Sequence, residues 1–473
     1  MFNHYHKKRQ RSSPSVNPWI EGLIDGYRWG TKKNKQKIRY RFFDVGDADF
    51  YGYQPQEWDN EELVAWRNAI DAIQSICGIQ FVNSLKKQKS QNEISIYSFD
   101  DSLGSLGFSF TPGSDNQGAI AIASNFYKNQ RREYTSSITP GSYSWITFIH
   151  ELGHSIGLKH PHELGKQGQG RFPGLRPKSN AFEDSGKFGQ NAQPFTVMSY
   201  VDQSAQNGLV ASEELDYGFL KTLGALDIAT LQHIYGLNHN TATGNDVYFL
   251  PTKNKEGTGW ISIWDAGGWD CIDGSKAKDR AVIDLRNATL ALDAHAGGFT
   301  SKVKDVYGGF TIAHDWDGQN LGSSEGLCVI EEAIGGSAAD ILIGNSAANR
   351  LTGGPGADRL TGGLGGDEFV IDMMEPYGRR YSDKIIDFNF REGDYIRFKS
   401  TVSGFSRLKQ VPEVLSIKHI DLLQQSAHKL IFIQNQGFLY FNQNGTSPGW
   451  GEGGLVVILK GQPDLSIDDI VWD

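Results

Sequence analysis

The stretch His150-Glu151-Leu152-Gly153-His154-Ser155-Ile156-Gly157-Leu158-Lys159-His160 decides how this chain is read. Four residues at about 100° each bring His150 and His154 back to one helix face, one turn apart, where both imidazoles reach a single metal ion. A third ligand must come from beyond the helix. A positive φ at Gly157 lets the chain leave the helix and turn His160 toward the same ion. Three neutral nitrogens suit Zn2+, a borderline-soft cation, and leave one coordination position open. Glu151 stands beside a ligand and is the obvious base. The expected mechanism has the ion polarise a peptide carbonyl and acidify water, with Glu151 taking the water proton and later delivering it to the departing amine. The bland alternative is an ordinary helix with surface or core histidines, and the Glu and Gly in register with three His argue against it.

The motif sits on a helix predicted from roughly Tyr143 to Gly157. Upstream, Leu63, Trp66, Ile70 and Ile73 share one face of a helix predicted over 60 to 76, with Asp59 and Glu62 as a capping pair. Strand candidates are Ile38 to Phe43, Ile79 to Val82, Glu93 to Phe99 and Ala119 to Ile122. Downstream, residues 161 to 193 are rich in Gly, Pro, Lys, Gln and Asn and read as a long surface excursion. A third helix is predicted from about 212 to 235, interrupted by Gly218 and Gly224. This part of the chain is mixed α and β.

Beyond Asn238 the helical period disappears. From Gly335 a nine-residue step is explicit, as GGSAADILI, GNSAANRLT, GGPGADRLT and GGLGGDEFV, starting at 335, 344, 353 and 362. In such a unit six residues turn and three extend. Glycines allow tight turns and close carbonyl approach, and the sixth residue supplies a hard oxygen for Ca2+. The candidate calcium residues are Gly335, Gly336, Asp340, Gly344, Asn349, Gly353, Gly354, Gly356, Asp358, Gly362, Gly363, Gly365 and Asp367. Asn349 replaces a carboxylate by a neutral carbonyl, which weakens its attraction for the cation. Leu342, Leu351, Leu360 and Phe369 occupy the eighth position and point inward, so stacked turns form a parallel β-roll. Asp270 and Asp273, in Gly267-Gly268-Trp269-Asp270-Cys271-Ile272-Asp273, are weaker candidates because no repeat adjoins them. Strand-like pieces at Ile385 to Phe388, Tyr395 to Phe398, Lys429 to Ile433, Gly437 to Phe441 and Gly454 to Leu459 close an all-β region.

Composition narrows the partners. The 473 residues carry 46 Lys and Arg against 55 Asp and Glu, a net charge of −9, which disfavours a nucleic-acid footprint and favours cations. Cys77, Cys271 and Cys328 are too few and too far apart for a disulfide framework or a thiolate zinc site. No run of about 18 apolar residues supports stable membrane insertion. The first 17 residues, with Lys7, Lys8, Arg9 and Arg11, read as a flexible arm without the apolar core of a signal peptide.

Residues 150 to 160, with Thr196-Val197-Met198-Ser199-Tyr200 downstream, resemble the metzincin peptidases, and Met198 followed by Tyr200 is similar to the serralysin-type metallopeptidases with RTX calcium-binding repeats. The resemblance extends through Leu23 to Gly30, Thr147 to Pro161 and Leu226 to Gly236 into the repeats. It implies that Met198 underlies the zinc site and that Tyr200 is catalytic, coordinating zinc or stabilising the reaction intermediate. It implies further that an edge strand near Gly118 to Ile122 aligns a protein or peptide substrate. Secretion to the extracellular space by type I machinery, a proteinaceous inhibitor and a zymogen form also follow from it. The ending Asp468-Asp469-Ile470-Val471-Trp472-Asp473 departs in its last two residues from the family's apolar close.

The expected architecture is multidomain. Residues 1–17 form the arm, a candidate short propeptide in which His4 or His6 reaches the metal; 18–240 form an α+β metzincin zinc-peptidase domain; 241–473 form the all-β parallel β-roll with a C-terminal secretion region. A monomeric, secreted zinc-dependent endopeptidase is the leading expectation. Its rival is a catalytically silent, calcium-dependent extracellular adhesion or structural protein, against which the intact Glu151 argues.

Overall fold

The computed structural model describes residues 17–30, 36–84, 93–100, 106–123, 138–166, 169–201, 203–204, 209–210, 217–315, 327–372, 377–399, 408–411 and 423–472. The arm with His4 and His6 lies outside these residues. Asn17 caps the short helix α1 (Pro18–Leu23), its side-chain oxygen accepting the Trp19 N–H at 2.9 Å.

Five strands follow: β1 (Gln36–Phe43), β2 (Ile79–Asn83), β3 (Glu93–Phe99), β4 (Gly107–Ser109) and β5 (Ala119–Ala123). They form one sheet in the order β2-β1-β3-β5-β4, parallel except for β4, which runs antiparallel to β5. The strand expected at the edge, 118 to 122, is therefore interior, with β3 on one side and β4 on the other. The reason is the short return through Gly113 and Gly118, both at positive φ, which folds β4 back onto β5.

Helix α2 (Asn60–Ile76) begins with the reciprocal cap read in the sequence: Asp59 accepts the Glu62 N–H at 2.8 Å and Glu62 accepts the Asp59 N–H at 3.0 Å. Its buried Trp66 meets Phe148 of α3 (Tyr143–Ser155) edge to face, ring centroids 5.2 Å apart. Ser142 caps α3, and every residue from Ser144 to Ser155 is buried, so the metal motif lies on a core helix. The third predicted helix is shorter than expected: α4 spans Ala225–Tyr235. Backbone bonds from Phe219 to Gly141 and between Lys221, Trp260 and Phe219 hold the preceding chain extended, and residues 211 to 216 lie outside those described.

In the C-terminal half the chain visits two sheets alternately. Glu332–Ile334, Arg350–Thr352 and Glu368–Asp372 pair in parallel in one sheet, while Ile341–Ile343 and Arg359–Thr361 pair in parallel in the other. The nine-residue step thus switches sheets, and residues eighteen apart become neighbours, as in Leu342 beside Leu360 and Leu351 beside Phe369. All four of these side chains are fully buried. The strand expected over Ile385 to Phe388 lies instead at Asp383–Ile385, because the Asp387 carboxylate turns away to accept the N–H groups of Gly362 and Gly363 at 2.9 and 3.0 Å. Gly454–Leu459, Phe438–Phe441 and Leu430–Ile433 close the second sheet as an antiparallel run. One hydrophobic core runs across both halves of the chain, and the Trp19 indole donates to Ala291 O at 2.7 Å across it.

Candidate metal centre

Helix α3 carries His150 and His154 one turn apart, and each ring is fixed from behind by a backbone carbonyl. His150 Nδ1 lies 2.7 Å from Val197 O, and His154 Nδ1 lies 2.9 Å from Leu158 O. Just past the helix, Gly157 has φ +113°, and a Cβ there would stand 2.6 Å from Tyr27 O. Only glycine fits this turn. The segment from Gly157 onward is pinned to the end of α1 and the chain just past it: Asp25 donates its N–H to Gly157 O at 2.9 Å, and the Lys159 N–H donates to Leu23 O at 2.8 Å. His160 is thereby brought over α3, its Nε2 at 3.0 Å from His150 Nε2 and 2.9 Å from His154 Nε2.

Those contacts cannot all be hydrogen bonds. A neutral imidazole that donates from Nδ1 to a carbonyl has a bare lone pair on Nε2, which describes both His150 and His154. His160 Nε2 carries at most one proton, so at least one close pair sets lone pair against lone pair. Burial makes protonation a poor remedy: it pushes His150 and His154 down to about 3 and His160 down to about 4, with repulsion among the rings adding to it. A cation at the convergence point resolves the conflict. The neutral nitrogen triad fits zinc, whose ligand nitrogens lie about 2.0–2.1 Å from the ion.

Glu151, the next residue on α3, is buried, and its Oε2 accepts no hydrogen bond from the described residues. Burial raises its carboxyl to about 8. Gly107 of β4 lies over it, close enough that a Cβ there would stand 3.3 Å from Glu151 Cγ. Beneath α3, the Met198 sulfur would meet a Cβ on Gly153 at 3.1 Å, so the absence of a side chain at Gly153 lets Met198 pack under the two ligand-bearing positions. The Tyr200 ring lies 4.5 Å from that of His160 and 5.7 Å from that of His150. Burial, with Glu151 and Glu163 nearby, raises its phenol above the ordinary range.

Four residues at this centre escaped sequence reasoning. Asp227 at the start of α4 accepts the Val197 N–H at 2.7 Å and the Gly224 N–H at 2.9 Å, and receives the Thr196 hydroxyl at 2.6 Å. An Asp in a first helical turn is the available signal, but it identifies only a cap. Glu163 lies 3.1 Å from His160 Nδ1, and the His162 ring stacks on His160 at 5.0 Å. Both follow the motif directly, yet a loop offers no periodicity to place them. Gly107 is visible only once β4 is folded back.

In the repeats, carboxylates bind backbone amides of their own and of neighbouring turns. Asp340 accepts the N–H groups of Gly336 and Ala281, Asp358 that of Asp340, Asp367 that of Asn349, and Asn349 that of Asn345. Asp383 and Asp394, outside the repeats, continue the pattern to Asp358 and Asp367. Glycine is required where turns close: a Cβ on Gly353 would stand 2.3 Å from Asp358 Oδ2, and one on Gly362 2.0 Å from Asp367 Oδ2. Gly335 and Gly344 meet Asp340 and Asn349 in the same way, Gly336 abuts Ala277 O, and Gly354, Gly356, Gly363 and Gly365 have positive φ. Asp367 Oδ2 is buried and accepts no hydrogen bond from the described residues. Upstream, Asp270 lies with Asp246 and Asp265, their ligand atoms within 4.8 Å of one another. Asp273 does not join them: its carboxylate accepts the Ser275 N–H at 2.7 Å, because its strand position turns it away.

Comparison with known proteins bears on both halves. The Matrixin family model matches residues 49–166, and the model described as Peptidase M10 serralysin C terminal matches residues 224–436. A serralysin of Photorhabdus sp. (strain Az29) is 28% identical over 348 residues, covering 70% of this chain and 63% of that protein. A serralysin of Proteus mirabilis is 28% identical over 312 residues, covering 62% and 56%, and serralysin B of Dickeya chrysanthemi is 29% identical over 236 residues, covering 48% and 41%. The chain thus spans less than two thirds of the length of these relatives. Among the described residues no helix is long and apolar enough to cross a membrane.

Proposed function

The chain belongs to the metzincin peptidase family, pairing a matrixin region with a serralysin C-terminal region, and from that premise we propose that it is a zinc-dependent endopeptidase acting on proteins. The observation that carries the reading is the convergence of three imidazole Nε2 atoms at 2.9 and 3.0 Å, with Glu151 following His150 on the same helix, buried, its Oε2 without a hydrogen-bond partner among the described residues. Zinc held by His150, His154 and His160 would supply Lewis acidity toward water and the scissile carbonyl.

The remaining steps belong to the chain. Glu151 takes a proton from the water whose oxygen adds to the carbonyl carbon, and its burial favours holding that proton. When the C–N bond breaks, the same carboxyl delivers the proton to the departing amine. Tyr200, kept protonated by its surroundings, donates to the carbonyl oxygen as negative charge grows there. Strand β4, at the edge of its sheet among the described residues, pairs with the substrate backbone and makes recognition largely independent of side-chain sequence. Met198 is structural support beneath the ligands.

The C-terminal half is read as a parallel β-roll in which the repeat carboxylates and glycine carbonyls hold Ca2+. The alternating parallel sheets and the buried eighth-position side chains support this. With 18–240 as the catalytic unit and 241–473 as the roll, calcium stabilises the roll outside the cell, in keeping with type I secretion.

The test is cleavage of an unfolded protein substrate by wild type and Glu151→Gln, both zinc-loaded. The reading expects the variant to lose at least about 100-fold in kcat, the scale of general-base catalysis. Equal cleavage by both forms would overturn it, and inactivity of a folded, zinc-loaded wild type would favour the silent adhesion protein.

A further inference from the structure

Among the described residues four rings neighbour that of Tyr200, and they do not come from one segment. His150, His160 and His162 belong to the metal motif or stand just past it, whereas Phe182 comes from the excursion over residues 161 to 193. The Phe182 ring lies 5.2 Å from that of Tyr200 and 17° from parallel to it. A local turn, rather than burial, presents this ring. Asn180 Oδ1 accepts the Phe182 N–H at 3.0 Å, Asn180 O accepts the Asp184 N–H at 3.1 Å, and Asn191 Nδ2 donates to Asp184 O at 2.7 Å. Phe182 itself is 67% exposed. We propose that Phe182 is a positioning residue for Tyr200: its ring stacks on the phenol ring and holds it in place at the metal centre, so that the hydroxyl can donate to the carbonyl oxygen.

The inference rests on the role given to Tyr200 above and follows from how that side chain is fixed. Tyr200 lies in neither a helix nor a strand, and no described residue hydrogen-bonds its hydroxyl. Ring contacts therefore orient it. Two of the four neighbours are tilted, His160 at 52° and His162 at 43°. The near-parallel ones are His150, at 5.7 Å and 22°, and Phe182, which is the nearer. Aromatic pairs have preferred geometries, so a stacked ring restrains direction as well as distance. A donor to a developing oxyanion must already be aimed at the place where charge grows, and a misplacement of about 1 Å costs up to about 100-fold in rate. A single exposed apolar side chain needs no explanation by itself, but one stacked on a proton donor restrains that donor. Because the Phe182 ring is mostly in solvent, its removal takes little from the core.

The experiment measures kcat and KM of the zinc-loaded full chain on a synthetic peptide spanning one site that the wild type cleaves in an unfolded protein. The forms compared are wild type, Phe182→Ala, Phe182→Tyr, Tyr200→Phe and the double variant Phe182→Ala with Tyr200→Phe. Phe182→Ala is expected to lower kcat about tenfold with KM within about twofold, short of the roughly 100-fold that loss of the donor itself costs in Tyr200→Phe. Phe182→Tyr keeps the ring and should stay near wild type. In the Tyr200→Phe background Phe182→Ala should cost nothing further, because the hydroxyl that it orients is gone. Zinc competition and thermal melting should be unchanged in the single Phe182 variants, which separates positioning from folding and metal binding. Wild-type kcat in Phe182→Ala, a rise in KM alone, or an equal loss of kcat in both backgrounds would overturn the inference by itself. Wild-type kcat in Tyr200→Phe would overturn the role of Tyr200, and a folded, zinc-loaded wild type that cleaves nothing would overturn the peptidase reading, each taking this inference with it.

Discussion

The Asp227 carboxylate accepts the N–H of Val197 at 2.7 Å, and the carbonyl of the same residue accepts His150 Nδ1 at 2.7 Å. A buried charge-bearing group on one helix thus sets the orientation of a ring on another through a single residue of the intervening turn. Asp227→Ala would leave the Val197 and Gly224 N–H groups and the Thr196 hydroxyl without their acceptor. Hydrogen bonds to a charged partner contribute about 1.5–3 kcal/mol each, so a loss of about 3 kcal/mol or more is expected in urea unfolding, together with weaker zinc binding.

The same carboxylate makes a pH prediction. Burial, outweighing its three donors, raises Asp227 to about 7. A carboxyl raised above its unfolded value binds protons more strongly in the native state, so its contribution is fully present below about pH 4 and is lost as pH rises through about 7. Asp227→Asn cannot titrate. In metal-free unfolding experiments between pH 4 and 7, wild type should therefore lose stability relative to Asp227→Asn as pH rises, and parallel curves would contradict the assignment.

Much of the centre was legible because it is local. The His150, His154 and His160 spacing and the need for a positive φ at Gly157 both follow from helix geometry over eleven residues. The repeats were legible for a similar reason: their period places Leu342, Leu351, Leu360 and Phe369 without reference to the rest of the chain. What stayed hidden depends on contacts between distant segments. Asp227 reads as a helix cap until α4 is packed against the turn at Val197. The strand expected at 118 to 122 reads as an edge until β4 returns beside it. Asp265 and Asp246 join Asp270 only through loop closure, whereas Asp273, closer in sequence, points elsewhere.

Gly157→Ala tests the turn. An L-residue in the left-handed region costs about 1–2 kcal/mol, and the added methyl would stand 2.6 Å from Tyr27 O. The segment carrying His160 must then shift. Thermal unfolding should show a loss above that range, and zinc competition should show at least a tenfold weakening, while the repeats keep their response to calcium.

Calcium removal should act on the C-terminal half. Asp358 bonds the Asp340 N–H while its own N–H donates to Asp383, linking three turns. Under excess calcium, Asp358→Ala should unfold at a lower temperature than wild type. In a chelator the difference should shrink, because the cation that the carboxylate helps to hold is gone. Calcium titrations followed by circular dichroism and melting check both arms.

The most direct measurement is elemental analysis of the full chain after stripping, incubation with zinc and removal of the excess, in wild type and in His154→Ala. The account predicts about one tightly held zinc per wild-type chain and loss of that zinc in the folded variant. Folded wild-type protein without zinc, or a variant that retains it as firmly, would contradict the account.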